Sequence, residues 1–186
     1  MMSILLLLLA TIFRPQVART SPASYEDVDA YDVYSAILPS EWPVTVAKAK
    51  RLVVLAETMP YKMCLVPEKR DAALVGPAIA DYAKRNNVTW RLQADFRVNL
   101  PFGFISSEEL SDLAQRRVDV YRQYPDSGGL IELSAVGFNA DKSIAVVYMG
   151  HRCGGLCGGG RFHVLQKVHG NWVPLDWRGT SCGWAS

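Results

Sequence analysis

The sequence predicts an α+β domain in which N-terminal helices pack on a C-terminal four-stranded antiparallel meander. Two observations carry this expectation. Apolar residues recur every three to four positions through much of the first half, and every second position from Leu130 onward. Turn signals then cut the second half into pieces of strand length. By analogy, a cystatin-like or nuclear-transport-factor-like arrangement fits, with helices covering one sheet face.

Residues 21–24 form a short linker. Residues 26–38 place Val28, Tyr31, Tyr34 and Leu38 on one helical face, and Pro39 ends that helix because it lacks an N–H and crowds the preceding turn. The apolar run Leu52, Val53, Val54 and Leu55 predicts a buried strand. Residues 59–70, with Pro60, Pro67 and the lone Cys64, predict a loop. Pro77 suits the first turn of a helix reaching Asn86, with Ile79, Tyr82 and Ala83 inward. Residues 90–104 have no clear period, and Leu92, Phe96 and Leu100 serve a helix or irregular structure equally well. Ser106 and Glu109 form an S-x-x-E capping box, followed by Leu110, Leu113 and Val118 on one stripe. The cluster from Tyr124 to Gly129 predicts a turn.

From Leu130 three hairpins are expected. Asn139 to Lys142 joins residues 130–138 to 143–152, the glycine-rich link at 154–160 follows, and His169-Gly170 joins 161–168 to 171–178. Simple pairing sets Tyr148 opposite Leu133 and Phe162, and Phe162 opposite Trp177. One face then collects Ile131, Leu133, Val146, Tyr148, Phe162, Val164, Val173, Leu175 and Trp177. The other is mixed, with Glu132, Met149, Arg161, His163, Lys167 and Asp176. Pro174 places the last strand at an edge. Trp172, Trp184, Tyr121 and Tyr124 are candidates for exposed rings.

The 186 residues are 49% hydrophobic and 20% charged, with a net charge of +2. This is a globular composition, without the basic surplus of a nucleic-acid binder. Residues 4–13 are a ten-residue apolar block matching the core of a secretory signal peptide and too short for a comfortable membrane span. The expectation is a signal peptide over 1–20, cleaved after Ala18 or Thr20, then a single α+β domain over 21–186 that is secreted or periplasmic. No stable membrane span remains after cleavage.

Export makes paired cysteines the default state. The third hairpin's register sets Cys157 opposite Cys182, leaving Cys153 to reach Cys64, while Cys153–Cys157 is the local competitor; spacing alone does not decide connectivity. A zinc site built on Cys153, Cys157 and Cys182 with His151 and His163 is weakened by the register, which separates the two rings by roughly 13 Å. No metal or cofactor is expected. No G-x-S-x-G elbow, H-E-x-x-H helix or P-loop occurs. The enzyme alternative is a small extracytoplasmic hydrolase in which His163 is oriented by its cross-strand neighbour Asp176, with a cysteine as candidate nucleophile. Its bland counterpart is an exposed charged pair that stabilises the sheet.

The stretch from Tyr124 to Gly129, then Leu133 to Asn139, Ala145 to Tyr148, Cys153-Gly154-Gly155-Leu156-Cys157-Gly158, and Gly160, Leu165, Lys167, Gly170 and Trp172, resembles a family of uncharacterised small bacterial exported proteins. The resemblance covers about the last third of the chain. It implies an exported stand-alone domain and no reaction. The expected function is therefore non-enzymatic binding of a protein or envelope component, with no nucleic-acid partner.

Overall fold

The structure is a computed structural model and describes residues 21–40, 49–154 and 157–186. The signal peptide expected at 1–20 lies outside the described residues. The fold is mixed α+β. Its helices are α1 (Val28–Ser40), α2 (Lys69–Arg85), α3 (Ser107–Gln115) and α4 (Val120–Gln123). The strands of the first half are β1 (Ala23–Ser24), β2 (Leu52–Leu55), β3 (Val66–Pro67), β4 (Trp90–Arg91) and β5 (Phe102–Ile105). Those of the second half are β6 (Leu130–Leu133), β7 (Gly137–Phe138), β8 (Ile144–Gly154), β9 (Cys157–Val168), β10 (Asn171–Pro174), β11 (Gly179–Thr180) and β12 (Gly183–Ala185).

The main sheet has eight strands, not the expected four. Its path is β10-β9-β8-β6-β2-β5, with β12 added to β9 and β7 to β8. The second half is antiparallel, but β2 runs parallel to both β5 and β6. Parallel neighbours need long crossovers, so no local turn announces them in the sequence.

The sheet is also covered on both faces rather than one. From Ile144 to His151 every residue of β8 is buried. One face packs Ile131, Leu133, Ala145, Val147 and Leu165 against Tyr31, Tyr34 and Leu38 of α1. The other packs Val146, Tyr148, Phe162 and Val164 against Val75, Ala78 and Tyr82 of α2. Further along that second face, Val53, Leu55, Ile105 and Leu130 meet Leu113 of α3. Salt bridges pin α1 to the sheet, because Asp29 in its first turn takes Lys167 at 2.7 Å and Lys142 at 3.0 Å.

The two-faced burial comes from α1 and α2 packing on opposite sides of the sheet, and one backbone irregularity decides which face β6 presents to each. β7 pairs Gly137 with Val146, in the expected parity, whereas β6 pairs Leu133 with Met149 and Ile131 with His151. Between them residues 134–136 leave the ladder and insert one residue, and a one-residue slip sends every β6 side chain to the opposite face. Ile131 and Leu133 therefore lie under α1, away from Tyr148. The irregular backbone is satisfied by side chains: the Tyr34 hydroxyl donates to the Ser134 carbonyl at 2.7 Å, Asn86 Oδ1 accepts from the Ala135 N–H at 2.9 Å, and the Tyr25 hydroxyl accepts from the Val136 N–H at 2.9 Å. Gly137 is required beside it, since a Cβ there would overlap the α2 backbone at Ala78 and Tyr82.

Other expectations hold or shift locally. Leu52–Leu55 is a fully buried strand, and the Ser106–Glu109 capping box is present. The linker expected at 21–24 contains β1, paired with β4. α1 runs through Pro39, and Val28 is exposed. α2 begins at Lys69, so Pro77 sits inside it on an exposed surface, where the lost hydrogen bond is tolerated. The residues it buries are Val75, Ala78 and Tyr82, while Ala83 is exposed. The β8–β9 and β9–β10 registers are those expected, with Tyr148 opposite Phe162 and Asn171 opposite Val168. β10 lies at an edge and stops at Pro174. Trp172, expected to be exposed, is buried under the Lys167 ammonium, and Trp177 is only partly buried.

Candidate functional site

Toward the β8–β9 tip the α1 face of these two strands carries polar side chains. Alternation brings His151 and Cys153 from β8 and Cys157, Arg161 and His163 from β9 to the same side. β12 then pairs Gly183 with Arg161 and Ala185 with Gly159, adding the segment 183–186 as a further wall. The result is a groove of about 680 Å³.

Each titratable group in it has a place. His151 is buried, and its Nε2 lies 3.0 Å from the Gly128 carbonyl oxygen. Burial holds its pKa below the usual value, and the Gly128 carbonyl partly opposes this. His163 is partly buried and opposite Val147, whereas His151 is opposite Gly159. Four residues of strand between those positions correspond to roughly 13 Å. Among the described residues, no group of three or more His, Cys, Asp and Glu is placed to hold a metal ion.

The structure places the two members of the suggested His–Asp pair differently. His163 lines the groove; Asp176 does not, and is exposed two residues past the end of β10. Beyond Pro174 the ladder continues with one bond, from the Leu175 N–H to the Val164 carbonyl at 2.9 Å.

All four cysteines are paired, as Cys64–Cys182 and Cys153–Cys157. The favoured pairing of Cys157 with Cys182 and Cys64 with Cys153 is thus replaced. Its premise was an unbroken third hairpin. After Pro174 the chain instead crosses to β3, where β11 pairs Gly179 with Pro67 and Thr180 with Val66. That detour brings the Cys182 N–H to 3.3 Å from Cys64 Sγ. The local competitor then closes the β8–β9 tip, where the register shifts between Arg152 and Gly154.

Sequence reasoning missed the opposite face of the same sheet end. There Glu132 is buried and paired with Arg152 at 3.1 Å. Tyr148 is stacked on Tyr61 at 3.9 Å and accepts a 2.7 Å hydrogen bond from Trp184 Nε1. Burial raises the pKa of both Glu132 and Tyr148, Arg152 opposing the shift of the first and Trp184 that of the second. The available signal was a single carboxylate inside the apolar run Leu130–Leu133.

No described helix is long and apolar enough to cross a membrane. No protein-family model, curated protein or solved structure matches the chain.

Proposed function

We propose that the chain is an exported, disulfide-stapled binding domain that holds a protein or envelope component in the groove at the β8–β9 end. One observation carries this reading: both disulfides act on the walls of that groove. Cys153–Cys157 forms part of its lining, and Cys64–Cys182 anchors the residue immediately before the wall at 183–186. A wall fixed before binding loses less conformational freedom on binding, which favours affinity. Paired cysteines are compatible with an extracytoplasmic location. They also leave no described thiol to serve as a nucleophile.

The test is a photo-crosslinking residue placed at Ala185 in the exported protein, with the same residue at the exposed Leu74 of α2 as control. An adduct formed from Ala185 and not from Leu74, on a chain whose N-terminus has been cleaved near Ala18 or Thr20, supports the proposal. A chain retained with Met1 intact and with alkylatable thiols overturns the export reading. Equal labelling from both positions overturns the groove. A hydrolytic activity lost in His163→Ala at unchanged thermal stability would replace binding by the hydrolase reading.

A further inference from the structure

A second cavity, of about 460 Å³, lies on the α2 side of the sheet between α3, α4 and the strands β6 and β8. Its walls are of two kinds. Leu110, Val118, Val120 and Leu130 give it an apolar body, and Arg117 and Arg152 are the basic residues in its lining. Glu132 also lines it, with a side chain only 4% exposed beside an Arg152 that is 59% exposed.

That asymmetry assigns different roles to the two partners. Glu132 Oε1 accepts from Arg152 Nε at 3.1 Å, so the carboxylate grips the guanidinium by its inner nitrogen. A guanidinium has five N–H donors in a planar fork, and the terminal ones match a carboxylate bidentately. Glu132 therefore acts as a fixed anchor that aims Arg152. The anchor can sit where it does because Gly150, directly opposite it, has no side chain: a Cβ there would lie 3.1 Å from Glu132 Oε2. Arg117, in the turn after α3, is the second basic residue of the lining. It is held in the left-handed region at φ 57°, a conformation uncommon for a residue with a side chain. Among the described residues its guanidinium has no hydrogen-bond or ion-pair partner. Asp119, the other carboxylate at the cavity, is engaged by the Arg122 N–H at 2.7 Å.

We propose that this cavity binds a small organic anion with an apolar body, its carboxylate clasped by Arg152 and Arg117 and its hydrocarbon part laid against Leu110, Val118 and Leu130. Glu132 is a positioning residue in this arrangement. The site is on the opposite face from the groove proposed above, so either can fail without the other.

The experiment is a titration of the intact, oxidised protein with octanoate, octylammonium and inorganic phosphate, followed by calorimetry and by methyl NMR shifts. Saturable octanoate binding is expected, with shifts at Leu110, Val118 and Leu130 and no comparable response to octylammonium. Arg152→Gln and Arg117→Gln should each weaken it about tenfold, the scale of one charge-assisted hydrogen bond. Arg70→Gln, on α2, should not change it. Glu132→Ala, which removes the acceptor held by Arg152 Nε, should weaken octanoate less than Arg152→Gln does, since the guanidinium remains but is no longer aimed. Absence of saturable octanoate binding, equal affinity for octylammonium, or an unchanged affinity in the folded Arg117→Gln/Arg152→Gln double variant would each overturn the proposal. Phosphate binding as tightly as octanoate would overturn the apolar part of it.

Discussion

Trp184 Nε1 and the Tyr148 hydroxyl meet at 2.7 Å above Gly160, in space that this residue leaves by having no side chain. A Cβ on Gly160 would overlap both the Tyr148 hydroxyl and Trp184 Nε1, and one on Gly158 would lie 3.1 Å from the Trp184 ring. The glycine run of β9, which suggests a flexible link, is a floor on which two aromatic side chains rest. Gly160→Ala should destabilise the fold by about 1–3 kcal/mol through overpacking. Trp184→Phe should cost about 1 kcal/mol through the lost hydrogen bond. Urea unfolding followed by circular dichroism measures both, and an unchanged Gly160→Ala midpoint would mean that Tyr148 and Trp184 sit elsewhere.

The two disulfides should differ in their effect on stability. Cys64–Cys182 spans a sequence separation of 118, and Cys153–Cys157 one of 4. Under the chain-entropy account a long closed loop restrains the unfolded chain more. Replacing the first pair by serine should cost about 4–5 kcal/mol and the second about 2 kcal/mol. Guanidinium denaturation of the two double variants checks the order; equal losses would argue against an unfolded-state effect.

Glu132 should make stability depend on pH. Burial raises its pKa above the ordinary 4.5, with Arg152 opposing. Folding therefore increases its affinity for a proton. Its favourable contribution is complete below pH 4.5 and declines as pH rises through the folded-state value. The unfolding free energy of the native protein minus that of Glu132→Gln should fall over this interval and then level off. A difference that rises with pH would show that the ion pair with Arg152 outweighs burial.

The entry to α3 is held by the Ser106–Glu109 box, in which the Glu109 N–H donates to Ser106 Oγ at 3.1 Å and the Ser106 N–H donates to Glu109 Oε2 at 2.8 Å. Glu57, from the end of β2, accepts from the Ser107 N–H at 2.9 Å as well. Ser106→Ala should lower stability by about 1 kcal/mol. If thermal unfolding shows no change, Glu57 alone is sufficient to hold the helix start.

What was legible in the sequence is what is encoded locally. The His169-Gly170 turn and the alternation on either side specified the β9–β10 register, and Tyr148 opposite Phe162 followed from setting Cys153 opposite Cys157 across the glycine-rich link. The capping box was read from four residues. What was not legible depends on distant backbone. Phe102–Ile105 pairs in parallel with Leu52–Leu55, about fifty positions away, and has no turn to reveal it. The insertion at residues 134–136 is supported by Tyr25, Tyr34 and Asn86, none of them near it in sequence. Without that insertion, Glu132 falls on the mixed face, and its burial beside Arg152 stays hidden. His163 in the groove was foreseeable from β9 alternation. The disulfide pattern was not, because it depends on where β11 crosses to β3.

Cys64 and Cys182 also determine how the molecule responds to a protease. The exposed Arg116-Arg117 pair between α3 and α4 is an accessible point for a trypsin-like enzyme, and it falls inside the ring those two cysteines close. A cut there changes connectivity without releasing a fragment. The nicked molecule would gain only the mass of one water, run as one band on a non-reducing gel, and separate into two bands only after reduction. Damage in a protease-rich surrounding would thus leave β12 seated on β9 and the groove wall in place.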